Sequence, residues 1–320
     1  MTVTATRPSR EQTASGEAGC LPAQVSPDFF DRRTWTWRSG GCVAGMHTFE
    51  VLGDVPALAG ILEPVTTPLR AHSDPAARTH YRILGRQHEH LPFALYHEGT
   101  RLAVAARPER LLRFLTSHIN RSMVERTAPQ YVVLHAAAAQ RAGLTVLLPG
   151  DQERGKTTTV AGLLRVGYDY ITDEAVAIEP TTLQVLPFPK ALSIDHGAWS
   201  LFPECRPANG IEGLTQWQVP STSLFSRPVS QLAQRPMVIV FPEFVRDART
   251  RASPLSPGAA VRALVESTFH FPDQTARNLR TLAGVVRGAT SMRLVMGSLE
   301  EAVDAIDEIV STALLERLTR

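Results

Sequence analysis

The sequence predicts an α/β fold in which a small β-rich part precedes a larger core of strands and helices. Three observations support this prediction. Residues 28–105 contain short aromatic and β-branched runs that are separated by glycine turns. A stretch of helical periodicity follows them. The rest of the chain alternates apolar runs of strand length, such as VVLHAAAA and PMVIVFPEF, with segments of helical period.

We divide the chain into three parts: a leader at residues 1–27, an N-terminal α+β domain rich in strands at residues 28–127, and a larger core at residues 128–320. The leader is rich in Thr, Ser, Arg and Glu and lacks an apolar segment, so we expect a flexible leader and no export signal. RTHYRILGR alternates like a strand, and PFALYHEGTRLAVAA predicts a hairpin that turns at residues 97–100. PERLLRFLTSHINRSMVER then changes to helical spacing.

In the core, YVVLHAAAA and LTVLLP predict two buried strands joined by a tight turn. A helix is predicted from Lys156 to Val166, where Gly167 ends it. YDYIT and AVAIEP predict strands on either side of two acidic residues, and PTTLQVLPFPKALSI predicts short strands separated by prolines. Residues 202–234 are expected to be rich in loops. After the strand PMVIVFPEF we predict two helices, the strand SMRLVMG, and a last helix that SLEE begins as a capping box.

Composition excludes several classes of protein. The chain has 33 Lys and Arg against 31 Asp and Glu, and a net charge of +2 argues against a nucleic-acid partner. The cysteines Cys20, Cys42 and Cys205 are too far apart to predict a metal site or a disulfide framework, which favours the reducing cytoplasm. No apolar run approaches the roughly 20 residues of a membrane helix, so we expect no membrane partner.

The stretch LLPGDQERGKTTT carries the strongest motif of the sequence. Gly150, Gly155, Lys156 and Thr157 match G-x-x-x-x-G-K-[ST], with an apolar strand before and a helix after. Backbone amides at such a helix start bind phosphate oxygens, the lysine neutralises the β- and γ-phosphates, and the hydroxyl binds Mg²⁺. The alternative is an ordinary strand–turn–helix connection with a surface lysine. The predicted ATP-binding residues are Gly150, Asp151, Gln152, Glu153, Arg154, Gly155, Lys156, Thr157 and Thr158.

Two acids follow the strand YDYIT. Ligands of open α/β sheets bind at the carboxyl ends of the strands, so we expect Asp173 and Glu174 to lie beside the phosphate loop. Asp173 would join Thr157 in holding Mg²⁺, and Glu174 would take the proton of an attacking hydroxyl. His135, on the strand before the loop-bearing strand, is a third candidate. The alternatives are a solvated acidic turn and an ordinary core histidine.

These residues together resemble the catalytic domain of the HPr serine kinase/phosphorylase family, and more closely its shorter relatives. The resemblance covers about residues 130–300. The matching positions are His135, Lys156, Thr157, Gly167, Asp173 and Glu174. It implies a P-loop, HPr-kinase-like nucleotide-binding core and a Mg²⁺-dependent transfer of the ATP γ-phosphoryl group to a serine hydroxyl on a protein. The second acid, Glu174 here, is the proton acceptor of the family, and Lys156 and His135 would stabilise charge on the transferred group.

The chain also departs from the family pattern. The family usually has two aspartates where this chain has Asp173-Glu174, and small residues where its loop has Asp-Gln-Glu-Arg. The bifunctional enzymes of the family have a later metal-binding acid that has no clear counterpart in this chain, where Glu204 is the one candidate. The reverse reaction of those enzymes, phosphorolysis, is therefore not expected.

The leading interpretation is an ATP-dependent kinase. Its acceptor would be a Ser or Thr hydroxyl of a peptide or protein, since some of the shorter relatives phosphorylate peptides or belong to peptide-tailoring pathways. A small hydroxylated metabolite is the second choice. A nucleotide-binding regulatory module and a plain NTPase stay open as alternatives.

Arg246, Arg249 and Arg251 would contact an anionic acceptor or form a solvated loop. The family is often oligomeric, and the sequence leaves open whether this chain forms a homo-oligomer.

Overall fold

The computed structural model describes residues 22–73, 75, 78–85, 93–151, 154–207, 214–229 and 231–319. It is a mixed α/β structure with two large sheets and one two-stranded sheet. Most of the predicted leader lies outside the described residues. Within them, no helix is both long enough and apolar enough to cross a membrane.

The N-terminal part contains one sheet and three helices. Its strands are β1 (Trp37–Arg38), β2 (Cys42–Ala44), β3 (His47–Gly53), β4 (Thr79–Leu84), β5 (Phe93–His97) and β6 (Thr100–Ala105), and its helices are α1 (Asp28–Asp31), α2 (Ala59–Thr66) and α3 (Glu109–Thr127). The strand order is β1-β3-β4-β5-β6, with β2 beside β3. The predicted hairpin is β5–β6, and it turns through Glu98 and Gly99, both with positive φ, as a two-residue hairpin turn requires.

Helix α2 is a difference from the sequence interpretation, which expected only strands and turns before residue 105. The segment 56–69 is helical, because its buried residues Leu58, Leu62 and Leu69 pack in one apolar cluster with residues of the first sheet. Three prolines and Gly60 within the segment weaken its helical signal, since both residue types disfavour helix interiors. Packing of this apolar face outweighs the low propensity.

In the described residues of the larger part there are ten strands and four α-helices. They are β7 (Val132–Arg141), β8 (Leu144–Pro149), α4 (Lys156–Arg165), β9 (Asp169–Thr172), β10 (Ala175–Ile178), β11 (Val185–Leu186), β12 (Leu192–Asp195), β13 (Gln216–Val219), β14 (Pro236–Phe244), β15 (Arg251–Pro254), α5 (Pro257–Glu266), α6 (Thr275–Arg287), β16 (Thr290–Met296) and α7 (Leu299–Leu318). The large sheet has the order β11-β10-β7-β8-β14-β16-β15, with β9 also paired to β7, while β12 and β13 form the small sheet. Strands β8, β14 and β16 are parallel.

Most predicted elements of the larger part are confirmed. Helix α4 begins at Lys156, and Gly167 follows its end with a φ of +94°. Ser298 caps α7, and its side chain accepts a hydrogen bond from the amide of Glu301. Strands β13 and β15 were not predicted, because β13 is short within a loop-rich region and β15 consists of exposed residues. Strand β13 alternates polar and apolar residues over only four positions, and β15 lacks an apolar pattern altogether.

Helix α3 packs against both large sheets. Its buried face consists of residues at helical spacing, mainly Leu111, Leu115, Ile119 and Met123. These side chains belong to one apolar cluster that also contains Phe49 of β3 and Val133 of β7.

Helices α4 and α7 approach each other closely at Gly162. A Cβ atom added there would lie 2.7 Å from Val303 Cγ2 and 2.8 Å from Leu299 Cδ1.

We expect Gly162→Ala to lower the free energy of unfolding by about 1–3 kcal/mol, because overpacking outweighs the better helix propensity of alanine. Urea unfolding measures this. The matched control is Gly60→Ala in α2, where a Cβ has no neighbour within 4 Å and stability should hold or rise. Equal stability of Gly162→Ala and wild type would contradict the close packing.

Three histidines and a tyrosine form a cluster between the first sheet and α3. The Tyr81 hydroxyl lies 3.2 Å from His47 Nε2 and 2.9 Å from His118 Nδ1, and the rings of His97 and His118 are 4.6 Å apart. Burial, with Arg126 nearby, lowers the pKa of His47 to about 3, and burial beside His118 lowers the pKa of His97 to about 4. Burial also lowers the pKa of His118. All three imidazoles are therefore neutral at pH 7.

This histidine cluster predicts loss of stability in acid. An unfolded histidine titrates near about 6.5, so below that pH the unfolded chain binds more protons than the folded one. The free energy of unfolding should therefore fall as the pH drops from about 6.5 towards 4. His47→Phe removes one group that must stay neutral, and we expect its pH slope to be shallower by up to about 1.4 kcal/mol per pH unit. Urea unfolding at several pH values measures both slopes, and identical slopes would contradict the prediction.

Candidate functional site

The candidate site lies around the middle of β7. Pro149 at the end of β8 pairs with Ala136, and Thr172 at the end of β9 pairs with Ala138. Strand β10 begins opposite His135 on the same side as β9. Because β8 and β9 are both antiparallel to β7, they run in the same direction and their carboxyl ends meet at one edge of the sheet. The predicted phosphate loop and the predicted acid pair follow these two ends.

The loop from β8 to α4 enters the helix through Gly155. This residue caps α4 in the left-handed conformation, with a φ of +83°, and Gly150 has a φ of +154°. A Cβ atom on Gly155 would lie 3.1 Å from Met296 Cε, so a side chain would meet both strain and a close contact. The first amides of α4 form its positively polarised end. Gln152 and Glu153 lie outside the described residues.

Lys156, the first residue of α4, is buried. Only 6% of its surface is exposed, and its Nζ donates to the backbone carbonyl of Asp151 at 2.6 Å. Burial lowers the pKa of the ammonium, and the nearby carboxylates of Glu174 and Asp173 oppose that shift. The lysine therefore points into the loop and towards the two acids, and it is not the surface lysine of the alternative interpretation.

Asp173 is the centre of the polar network. It is 3% exposed, and its Oδ1 accepts the Tyr170 hydroxyl at 2.8 Å and lies 2.7 Å from Lys190 Nζ. Its Oδ2 accepts the Thr157 hydroxyl at 3.2 Å and the backbone amide of Ser193 at 3.1 Å. The structure thus brings together the two predicted magnesium ligands, one from the start of α4 and one from the end of β9.

Glu174 is half-buried next to this network. Burial raises the pKa of its carboxyl group above the ordinary value for glutamate, and Asp173 adds to the shift. Lys190 and Lys156 oppose it. The carboxyl group is therefore a stronger base than an exposed glutamate, as a proton acceptor needs to be.

His135 lies on β7, next to the first residue of the loop. Its carbonyl accepts the amide of Gly150 at 3.3 Å, and its own amide donates to the carbonyl of Ser267 at 2.7 Å. Burial, followed by the charge of Lys156, lowers the pKa of its imidazole to about 4. The ring is therefore neutral at pH 7.

The remaining predicted residues differ in their surroundings. Arg154 is exposed, and its guanidinium lies 4.0 Å from Glu243, which also binds Arg293 at 2.5 Å. Asp151 is exposed, and Thr158 is half-buried in the first turn of α4. Arg154 therefore has an acidic partner at the end of β14.

Two groups of candidates do not join the network. Glu204 pairs with Arg165 at the far end of α4, with 2.8 Å between Arg165 Nε and the carboxylate. A ten-residue helix is about 15 Å long, which separates Glu204 from Lys156. Arg246, Arg249 and Arg251 are exposed after β14.

The sequence interpretation missed Lys190. The residue comes 17 positions after Asp173, from a proline-containing segment before β12, and only the tertiary structure brings its ammonium to the carboxylate. A signal was nevertheless present in the composition. Of the 33 basic residues of the chain only two are lysines, Lys156 and Lys190, and both are buried at this site.

No group of three or more His, Cys, Asp and Glu side chains in the described ranges is arranged to hold a metal ion by itself. A metal at this site would therefore use the Thr157 hydroxyl together with Asp173, and its other ligands would come from a substrate or water. No protein-family model matches this chain, and no curated protein matches it.

Proposed function

We propose that this protein is an ATP-dependent kinase with a P-loop, HPr-kinase-like nucleotide-binding core. The observation that carries the proposal is the position of Lys156 and Thr157 at the start of α4. Lys156 is buried there, and the Thr157 hydroxyl lies 3.2 Å from Asp173, beside Glu174. A helix N-terminus, a buried cation and a hydroxyl–carboxylate pair are together what a nucleoside triphosphate and its metal require.

In the proposed reaction the acceptor hydroxyl attacks the γ-phosphorus of ATP, and the bond to the β,γ-bridging oxygen breaks to leave ADP. Glu174 accepts the proton of the hydroxyl, a role that its raised pKa supports. Lys156 neutralises the phosphate oxygens from the loop side. His135, as a neutral imidazole, contributes a hydrogen bond from β7.

The residues at the site fit Mg²⁺. The Thr157 hydroxyl and the Asp173 carboxylate are hard oxygen donors, and they converge within 3.2 Å of each other. Thr157 and Asp173 would hold the ion, which when bound neutralises charge on the β- and γ-phosphates.

The acceptor that we propose is a Ser or Thr hydroxyl of a peptide or protein in the cytoplasm, and a small hydroxylated metabolite is the second choice. The resemblance to the shorter relatives of HPr kinase supports a peptide. Exposed arginines follow the carboxyl end of β14, which is parallel to β8. They therefore lie at the same edge of the sheet as the loop after β8, where they would contact an anionic acceptor.

A second candidate is a nucleotide-binding module, or an NTPase, without an acceptor. It is favoured by the loop itself, because bulky and acidic residues stand at positions 151–154, where glycine would allow closer backbone approach to phosphates.

One experiment separates these functions. The protein is incubated with Mg²⁺ and γ-labelled ATP, with and without seryl peptides or hydroxylated metabolites, and both label transfer and phosphate release are measured. Transfer to an acceptor is the expected result. Phosphate release that no acceptor changes indicates an NTPase, and binding without turnover indicates a regulatory module. If ATP does not bind, the proposal and its alternatives are all wrong.

A further inference from the structure

Four donor groups of the protein surround the carboxylate of Asp173. A carboxylate offers about four lone-pair sites, and Asp173 accepts three hydrogen bonds and forms one ion pair. Two of the donors, the Tyr170 hydroxyl and the Lys190 ammonium, are 2.8 and 2.7 Å from Oδ1. The other two, the Thr157 hydroxyl and the Ser193 amide, are 3.2 and 3.1 Å from Oδ2.

One of these donors already supplies the positive charge that a metal would bring. Lys190 is 4% exposed, and its Nζ forms the shortest of the four contacts. An ammonium and a divalent ion that both contact one buried carboxylate repel each other strongly, because few water molecules screen them. The ammonium of Lys190 and a divalent cation therefore disfavour each other as close partners of Asp173.

The donor groups also differ in how easily each can move away from the Asp173 carboxylate. Tyr170 is fully buried, and the Ser193 donor is a backbone amide, so neither moves without disturbing the sheet. Lys190 has a long side chain with other acceptors in reach, since its Nζ also donates to the Ala191 carbonyl at 3.0 Å and to Ser193 Oγ at 3.3 Å. Its ammonium can leave Asp173 without losing every hydrogen bond.

We propose that Lys190 and a divalent cation are alternative partners of Asp173. Without a metal the ammonium of Lys190 holds the carboxylate in position, and binding of the metal requires Lys190 to leave. The proposal rests on the metal site of the proposed function. Lys190 is thus a positioning residue that sets the affinity of the site for metal. Its identity supports this, because the chain uses arginine for 31 of its 33 basic residues and keeps lysine only here and at Lys156.

The test is metal binding without nucleotide. Free Mn²⁺ is titrated into the purified full chain and followed by electron paramagnetic resonance, which needs no catalytic turnover. Lys190→Met keeps most of the side-chain volume and removes the charge, so we expect it to bind Mn²⁺ at least tenfold more tightly than wild type. Lys190→Arg keeps the charge and should bind as weakly as wild type. Equal or weaker binding by Lys190→Met would overturn the proposal.

Thermal unfolding gives a second readout. Without metal, Lys190→Met leaves a buried carboxylate unpaired, so its midpoint should fall well below that of wild type. Added Mn²⁺ should restore most of this loss in Lys190→Met and shift wild type little. The double variant Lys190→Met/Asp173→Asn should recover the midpoint without metal and no longer respond to Mn²⁺. A double variant that still responds would contradict the assignment to Asp173.

A second variant and the absence of ATP from these measurements make the result interpretable. If Lys190→Met does not fold, Lys190→Gln retains a donor for Asp173 without the charge and should show the same gain in Mn²⁺ affinity. The results also separate from those of the kinase assay, because none of these measurements uses ATP. A chain without kinase activity that shows the Mn²⁺ gain would refute the proposed function alone, and a kinase without that gain would refute the role of Lys190 alone.

Discussion

Lys156→Ala should bind ATP at least about 10²-fold more weakly than wild type and show no detectable turnover. The expected loss is of this size because one buried charged donor in a preorganised site is worth about 10²–10³ in rate, and because Lys190 is already paired with Asp173 and cannot take the place of Lys156. Isothermal titration with ATP measures the affinity, and the γ-labelled ATP assay measures the turnover.

Two further variants test whether the charge of Lys156 or its packing is responsible. Lys156→Met keeps the apolar stem in its buried position and should lose as much as Lys156→Ala. Arg165→Ala changes a basic residue at the other end of α4 and should leave ATP binding unchanged. If Lys156→Met binds ATP like wild type, the ammonium has no part in the site.

Glu174→Gln should lower phosphoryl transfer by about 10²–10⁴-fold, the range for loss of a general base, and should leave the ATP affinity within threefold or so of wild type. The amide has nearly the same shape as the carboxylate and cannot accept the proton of the hydroxyl. Single-turnover transfer from labelled ATP and ATP titration measure the two quantities. Glu204→Gln is the matched control, because its carboxylate pairs with Arg165 far from the loop, and it should retain full transfer.

The pH dependence gives an independent test of Glu174. Transfer requires the ionised carboxylate, so the rate should rise with pH through the pKa of this group and level off above it. Because burial raises that pKa, the rise should lie at higher pH than for an ordinary glutamate. The rise should be absent from the residual rate of Glu174→Gln. A variant that keeps both the rate and the pH profile of wild type would remove Glu174 from its role.

Local patterns explain which parts of this structure the sequence predicts. The frame from β8 through Gly155 to α4 was predicted because each part has a local signal: an apolar run, a glycine, and a helical period. Helix α2 was not predicted, because Gly60 and the three prolines of the segment 56–69 obscure its period, and packing with residues of the first sheet stabilises it.

The candidate site follows the same rule. Asp173 and Thr157 could be expected near each other from the direction of two strands, and their 3.2 Å contact agrees with that expectation. Their predicted roles stay predictions. The contacts of Asp173 with Lys190 and Ser193 depend on the path of the chain between β11 and β12, and the local pattern of short strands and prolines does not specify that path. The composition held a signal that the sequence interpretation did not use, since lysine occurs only at positions 156 and 190.

The burial of both lysines has a practical consequence for chemical labelling. Amine-reactive reagents find no exposed lysine on this protein, so apart from the chain terminus the amino groups that they can modify are those of Lys156 and Lys190. The extent of acylation or reductive methylation, read by mass spectrometry, therefore reports on the candidate site alone. Protection of one lysine by a bound molecule, or increased reactivity of the other, would be visible without any engineered probe.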